Sequence, residues 1–102
     1  TGKRVEQYKR MYLESVKAMQ QQLIFTENGL TFLAESNNHK VIKKMDHLVC
    51  FVPGMLALGA QHIPEVHDEH MRLAAALTET CHQMYDRQRT GLAPEFVRFT
   101  AR

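Results

Sequence analysis

The sequence reads as a mainly α-helical chain with a small β-hairpin, and three observations point there. Between residues 4 and 25, apolar side chains recur at Val5, Tyr8, Tyr12, Val16, Met19 and Leu23, in steps of three and four, which mark one face of a helix. Residues 66–89 form a second amphipathic run, with Met71, Ala74, Ala75, Leu77, Thr78, Cys81, Met84 and Tyr85 on its apolar side. Between the two, the string DHLVCFVPGMLALGA from Asp46 is apolar all round, and a helix of that kind is buried on every side.

The elements follow in order. Gln20, Gln21 and Gln22 give the first helix a polar shoulder, and Asn28-Gly29 stops it through the left-handed conformation that glycine tolerates. Residues 30–35 (LTFLAE) are β-prone and are followed by the turn formers Ser36, Asn37 and Asn38, so a strand is expected there, with a second near 40–45 completing a hairpin. Asp46 suits an N-cap, yet Pro53 donates no hydrogen bond and clashes one turn back. The middle helix therefore starts either near Pro53 or near His47, and we favour His47. Gly54 and Gly59 predict close approach of a neighbouring element. Residues 61–64 read as a loop, His67 or Asp68 as the cap of the last helix, with Glu69 favourable in its first turn and Gly91 at its end. Ala93-Pro94-Glu95 opens an extended exit, because proline biases its predecessor away from helix.

Composition narrows the class. The 102 residues carry 13 Lys and Arg against 11 Asp and Glu, a formal charge of +2, with 44% hydrophobic residues, five Gly and three Pro. These are globular values rather than those of disordered or collagen-like chains. The small, mixed charge lacks the clustered Lys and Arg of a nucleic-acid footprint. No window nears the roughly 18 apolar residues needed to span a bilayer. Thr1 is no initiator methionine, no signal peptide follows it, and PEFVRFTAR stops within an extended, half-apolar stretch. Asn28, Asn37 and Asn38 each lack the hydroxyl residue of a glycosylation sequon. Two amphipathic helices cannot cover a third that is apolar all round. Residues 1–102 are therefore expected to be a single partial segment of a longer domain.

The candidates for chemistry are few. Cys50 and Cys81 fall on consecutive helices, where neighbouring helices can bring them to a disulfide's reach of ~4.4–6.8 Å between Cα atoms; two buried free thiols are the alternative. A third reading joins His47, Cys50, Cys81 and His82 around Zn²⁺. It is disfavoured because adjacent helical residues point about 100° apart, so Cys81 and His82 cannot both face one ion. His62, His67 and His70 read as surface residues, and HDEH lacks the paired histidines of zincins. Taken alone, His47 is a satisfied buried histidine, and Glu95, in the otherwise apolar PEFVRF, is a rim carboxylate or the partner of an arginine.

Two longer strings alter that weighting. KMDHLVCFVPGMLALGA (residues 44–60) resembles the signature of class I α-1,2-mannosidases, glycoside hydrolase family 47, in the form typical of the endoplasmic-reticulum enzymes. ETCHQMYDRQRTGLAPEFVRF (residues 79–99) resembles the ETC…TGL-x-PE stretch of the same family at matching distance. The resemblance implies an (α/α)7 barrel plugged by a β-hairpin, with the helix after His47 in the inner ring and that of residues 66–89 in the outer ring. It implies a disulfide between Cys50 and Cys81, and hence an oxidising compartment. It places His47 in the mannose pocket orienting a catalytic carboxylate, Glu95 in the same pocket binding substrate hydroxyls, and Asp46 as helix cap or pocket support.

The family chemistry is inverting hydrolysis of α-1,2-linked mannose on high-mannose N-glycans, with a Ca²⁺ whose ligands, like the acid and base carboxyls, lie outside residues 1–102. The parent is then a lumenal enzyme of the endoplasmic reticulum or early Golgi, expected to be a type II membrane protein. Without the main carboxyls this segment alone is expected to be inactive. The rival of another class is a catalytically silent relative that binds mannose glycans and marks misfolded glycoproteins for disposal; intact flanking carboxylates would distinguish the enzyme.

Overall fold

The computed structural model describes residues 2–38, 40–92 and 94–99, with the side chains of residues 2 and 3 left out. Ala93, expected to open the exit, lies outside the described residues. The chain runs α1 (Gly2–Gln22), β1 (Ile24–Glu27), β2 (Leu30–Leu33), β3 (Glu35–Asn37), β4 (Lys40–Ile42) and β5 (Lys44–Asp46). A 3₁₀ turn (His47–Phe51) leads into α2 (Val52–His62), a second 3₁₀ turn (Pro64–Val66) into α3 (His67–Asp86), and the chain closes with β6 (Phe96–Arg98).

The first helix is as expected except at its end. It stops at Gln22, and Asn28-Gly29 turns a hairpin instead of ending the helix. Both residues have positive φ, 51° and 78°, the signature of a type I′ turn, whose twist matches the strands it joins. Ile24 and Phe25, assigned to the helix on spacing, pair with Leu33 and Phe32 across this hairpin. The expected second strand at 40–45 is divided: β4 pairs with β3, while β5 pairs with β6.

The middle helix corrects a further expectation. The α-helix begins at Val52 with Pro53 in its first turn, where the missing N–H costs nothing. The residues from His47 to Phe51 form only a 3₁₀ turn, and Asp46, at its N-terminal edge, makes no side-chain cap bond. Neither His67 nor Asp68 caps α3, since the capping position falls on Val66, again without a side-chain bond. The helix ends at Asp86, before Gly91, whose φ of 75° serves a later turn.

Two apolar clusters hold the elements together. One joins Val16 of α1, Leu33 of β2, Leu56 of α2, and Ala74 and Leu77 of α3. Leu56 and Leu77 are wholly buried, each stabilising by roughly 1.5–3 kcal/mol. The other joins Ala34, Met45, Cys81 and Phe99, with Phe32 stacked on Phe99 at 4.7 Å between ring centroids. Thr80 is buried between α3 and the first hairpin and donates to the carbonyl oxygen of Thr31, while its oxygen also lies 3.2 Å from that of Ala76. The buried stripe of α3 is His70, Ala74, Leu77, Thr80, Cys81 and Met84. It is rotated from the expected face, leaving Met71, Ala75, Thr78 and Tyr85 exposed.

Gly59 sits where an added Cβ would overlap the Tyr12 phenol, so the Tyr12 side chain reaches from α1 onto α2 at that point; among the described residues nothing approaches Gly54. The histidine expected at the surface in α3, His70, is instead 3% exposed and shares a hydrogen bond of 3.0 Å with the Tyr12 hydroxyl. A polar side chain is tolerated in the stripe because its nitrogen is partnered. Burial in turn pushes the Tyr12 phenol's pKa above its ordinary value.

Candidate functional site

The residues singled out by sequence meet at one end of the β5–β6 ribbon. The register sets Lys44 against Arg98, Met45 against Val97 and Asp46 against Phe96. Alternation along a strand sends Met45 inward, where it is fully buried, and Lys44, Asp46, Phe96 and Arg98 to the other face. There Phe96 lies beneath two cations, with the Lys44 ammonium 4.2 Å and the Arg98 guanidinium 5.9 Å from its ring centroid. One bond prolongs the ladder at each end: the Phe99 N–H donates to the Lys43 carbonyl at 3.1 Å, and the His47 N–H to the Glu95 carbonyl at 2.9 Å.

That last bond brings together two residues 48 positions apart. The Glu95 carbonyl also lies 3.0 Å from His47 Nδ1, so one oxygen meets both the backbone and the ring of His47. Both residues are exposed, which corrects the reading of His47, taken alone, as a buried histidine. The Glu95 carboxylate has no arginine partner among the described residues. Asp46 is half-buried beside them, opposite Phe96. The order Pro94, Glu95, then a β-prone FVR explains the local path: proline favours extended geometry and the strand docks on β5.

Behind His47, Cys50 on the 3₁₀ turn is bonded to Cys81 of α3, with Cα atoms 5.9 Å apart, and no cysteine is free. The disulfide fixes the turn carrying His47 onto α3. It also consumes both thiolates of the zinc reading. His82 points instead towards Glu79, 3.9 Å away on the surface of α3. Among the described residues no three of His, Cys, Asp and Glu converge as metal ligands.

Two grooves of about 240 and 320 Å³ lie elsewhere, one between the first hairpin, α3 and β6 and the other beside α1 and α3, and neither is lined by His47 or Glu95. Leu48 and Phe51 of the 3₁₀ turn, with Met55 and Leu58 of α2, form an exposed apolar ridge beside His47.

The sequence matches the profile of Glycosyl hydrolase family 47 over residues 1–102. The chain belongs to that family. It is 43% identical over 101 residues to the human endoplasmic reticulum mannosyl-oligosaccharide 1,2-alpha-mannosidase, an alignment covering 96% of this chain and 14% of the human protein. It is 42% identical over 93 residues to the pig (Sus scrofa) mannosyl-oligosaccharide 1,2-alpha-mannosidase IA, covering 89% of this chain and 14% of that one. The chain thus spans about one seventh of the length of these relatives. Its fold matches a solved alpha-1,2-mannosidase from Trichoderma reesei with a TM-score of 0.81 at 22% identity, over 92% of this chain and 20% of that one. This family 47 chain is therefore a mainly helical part of an (α/α)7 barrel with small antiparallel hairpins.

Proposed function

We propose that the protein containing this chain is an inverting glycosidase that removes terminal α-1,2-linked mannose from high-mannose N-glycans, and that residues 44–99 form part of its pocket wall. The observation that carries the reading is the convergence of His47 and Glu95, from the two family-like strings, on one end of the β5–β6 ribbon. Membership of family 47 supports the reaction class, and the names of the relatives support the substrate and the endoplasmic-reticulum setting. A disulfide agrees with an oxidising lumen.

Inversion requires one carboxyl group to protonate the departing oxygen and another to activate water, held roughly 6.5–9.5 Å apart. In this reading both come from outside residues 1–102, and the chain alone is inactive. Its own residues position: His47 holds the orientation of one of those carboxyl groups, Glu95 engages sugar hydroxyls, and Asp46 supports the ribbon end. The family resemblance also implies Ca²⁺, with its ligands in the flanking sequence, and no step here runs through it.

The test is full-length protein with a Man9-type glycan, comparing wild type and His47→Ala. Release of α-1,2-linked mannose by wild type, with kcat falling about 10²-fold in the variant while the fold persists, is expected for a positioning residue in acid–base chemistry. Tight glycan binding without hydrolysis by the wild type would replace the enzyme with a mannose-binding protein. An unchanged kcat in His47→Ala would remove the role of His47.

A further inference from the structure

We infer that the main-chain carbonyl of Glu95, rather than its carboxylate, is the positioning group of the site. It holds His47 with the proton on Nδ1 and leaves Nε2 as a hydrogen-bond acceptor facing the pocket. The inference rests on the mannosidase reading for its consequences, but its geometry stands independently.

The Glu95 oxygen is 3.0 Å from His47 Nδ1 and also receives the His47 backbone N–H at 2.9 Å. A carbonyl oxygen only accepts, so Nδ1 must carry the hydrogen in this contact. In a neutral imidazole the other nitrogen then has a lone pair and no hydrogen. The ribbon sets this choice: with Asp46 paired to Phe96, the next carbonyl along can only be that of Glu95. The same oxygen anchors backbone and ring, so the ring cannot turn away without giving up a bond that the ladder has already positioned. Met45 buried beneath and the disulfide at Cys50 fix the two sides of the turn.

The consequence is chemical. A neutral ring held this way cannot donate to a carboxylate through Nε2; it accepts from an O–H. Its partner in the pocket is a proton-bearing group, either the protonated carboxyl of the general acid or a sugar hydroxyl. In the first case the ring stabilises the protonated form and so raises that acid's pKa.

The experiment uses full-length protein labelled with ¹⁵N in its histidine rings, with His47 assigned by loss of its signals in His47→Gln. Long-range ¹H–¹⁵N correlation then reads whether Nδ1 is protonated, independently of turnover. A protonated Nδ1 with an unprotonated Nε2 in wild type, retained in Glu95→Gln, is expected, and a hydrogen on Nε2 overturns the inference. An unprotonated Nδ1 in wild type, or one that loses its hydrogen when only the carboxylate is replaced, overturns the inference. The kinetics separate the two donors. If the partner is the acid, the alkaline limb of the kcat/KM profile moves to lower pH in His47→Gln. If it is a sugar hydroxyl, the limb stays and KM rises several-fold. An inactive wild type with a protonated Nδ1 would sink the mannosidase reading while leaving the positioning intact.

Discussion

Gly59→Ala offers a sharp test of the packing, because two opposing effects can be separated by sign. Replacing a mid-helix glycine by alanine should stabilise by about 0.5–1 kcal/mol through backbone entropy alone. In α2 the added methyl instead meets the Tyr12 ring, which it would overlap at its hydroxyl, Cζ and Cε2. Forcing extra carbon into such a contact costs roughly 1–3 kcal/mol. If the phenol moves to relieve it, the buried His70 loses its partner, at about 1–3 kcal/mol more. The net expectation is a loss of about 1–5 kcal/mol from these opposing contributions. In a Tyr12→Ala background the obstacle is gone, and Gly59→Ala should become neutral or stabilising. Urea denaturation of the four full-length proteins of this cycle reads the coupling directly. Equal effects of Gly59→Ala in both backgrounds, or no loss in the first, would refute the claim that the Tyr12 side chain packs on α2 at Gly59.

Other outcomes follow from the same structure. Cys50→Ser opens the loop closed on Cys81 and should cost roughly 3–4 kcal/mol on the chain-entropy account, seen as reduced secretion and a lower urea midpoint. Leu77→Ala, at a wholly buried position, should cost about 2–5 kcal/mol by the same denaturation assay. The Tyr12 phenol has a raised pKa in the folded chain because of burial. Its contribution is complete below the unfolded-state pKa near 10 and is lost as pH rises through the higher folded value. Tyr12→Phe should therefore flatten the alkaline fall in stability, and an unchanged slope would count against that burial.

The sequence was most readable where one periodicity ran without competition. The steps from Val5 to Leu23 located α1 to within a few residues, although only Val16 of that face is fully buried within this chain. Reading failed where two signals overlapped. Asn28-Gly29 is both a helix stop and the preferred turn of a two-residue hairpin; β-prone residues on both sides, IFTE and LTFL, decide for the hairpin. His70 was misplaced because counting apolar residues skips a histidine that completes the spacing 70, 74, 77, 81, 84 and satisfies its nitrogen on Tyr12. Asp46 had the chemistry of a cap, but pairing with Phe96 committed its backbone to a strand. The proximity of His47 and Glu95 could not be derived from spacing, since it depends on a long-range strand pairing. The resemblance put both in one pocket, and the ladder supplies the contact between them.

The apolar ridge running from the 3₁₀ turn into α2 carries the last consequence. A helix apolar all round was expected to be buried all round, yet only Pro53, Leu56 and Ala60 of α2 are buried by this chain, while Leu58 is 63% exposed. Leu48 and Phe51 of the preceding 3₁₀ turn and Met55 of α2 are exposed as well, and four such apolar residues in sequence exceed what a free surface needs. If flanking helices of the (α/α)7 barrel cover the ridge in the parent, Leu58→Asp buries an unpaired carboxylate there. That should cost at least about 3 kcal/mol; at a surface position the same change stays within about 0.5 kcal/mol. Urea denaturation of the full-length protein distinguishes these values. A loss below about 0.5 kcal/mol would mean that the ridge faces water and that no flanking helix covers it.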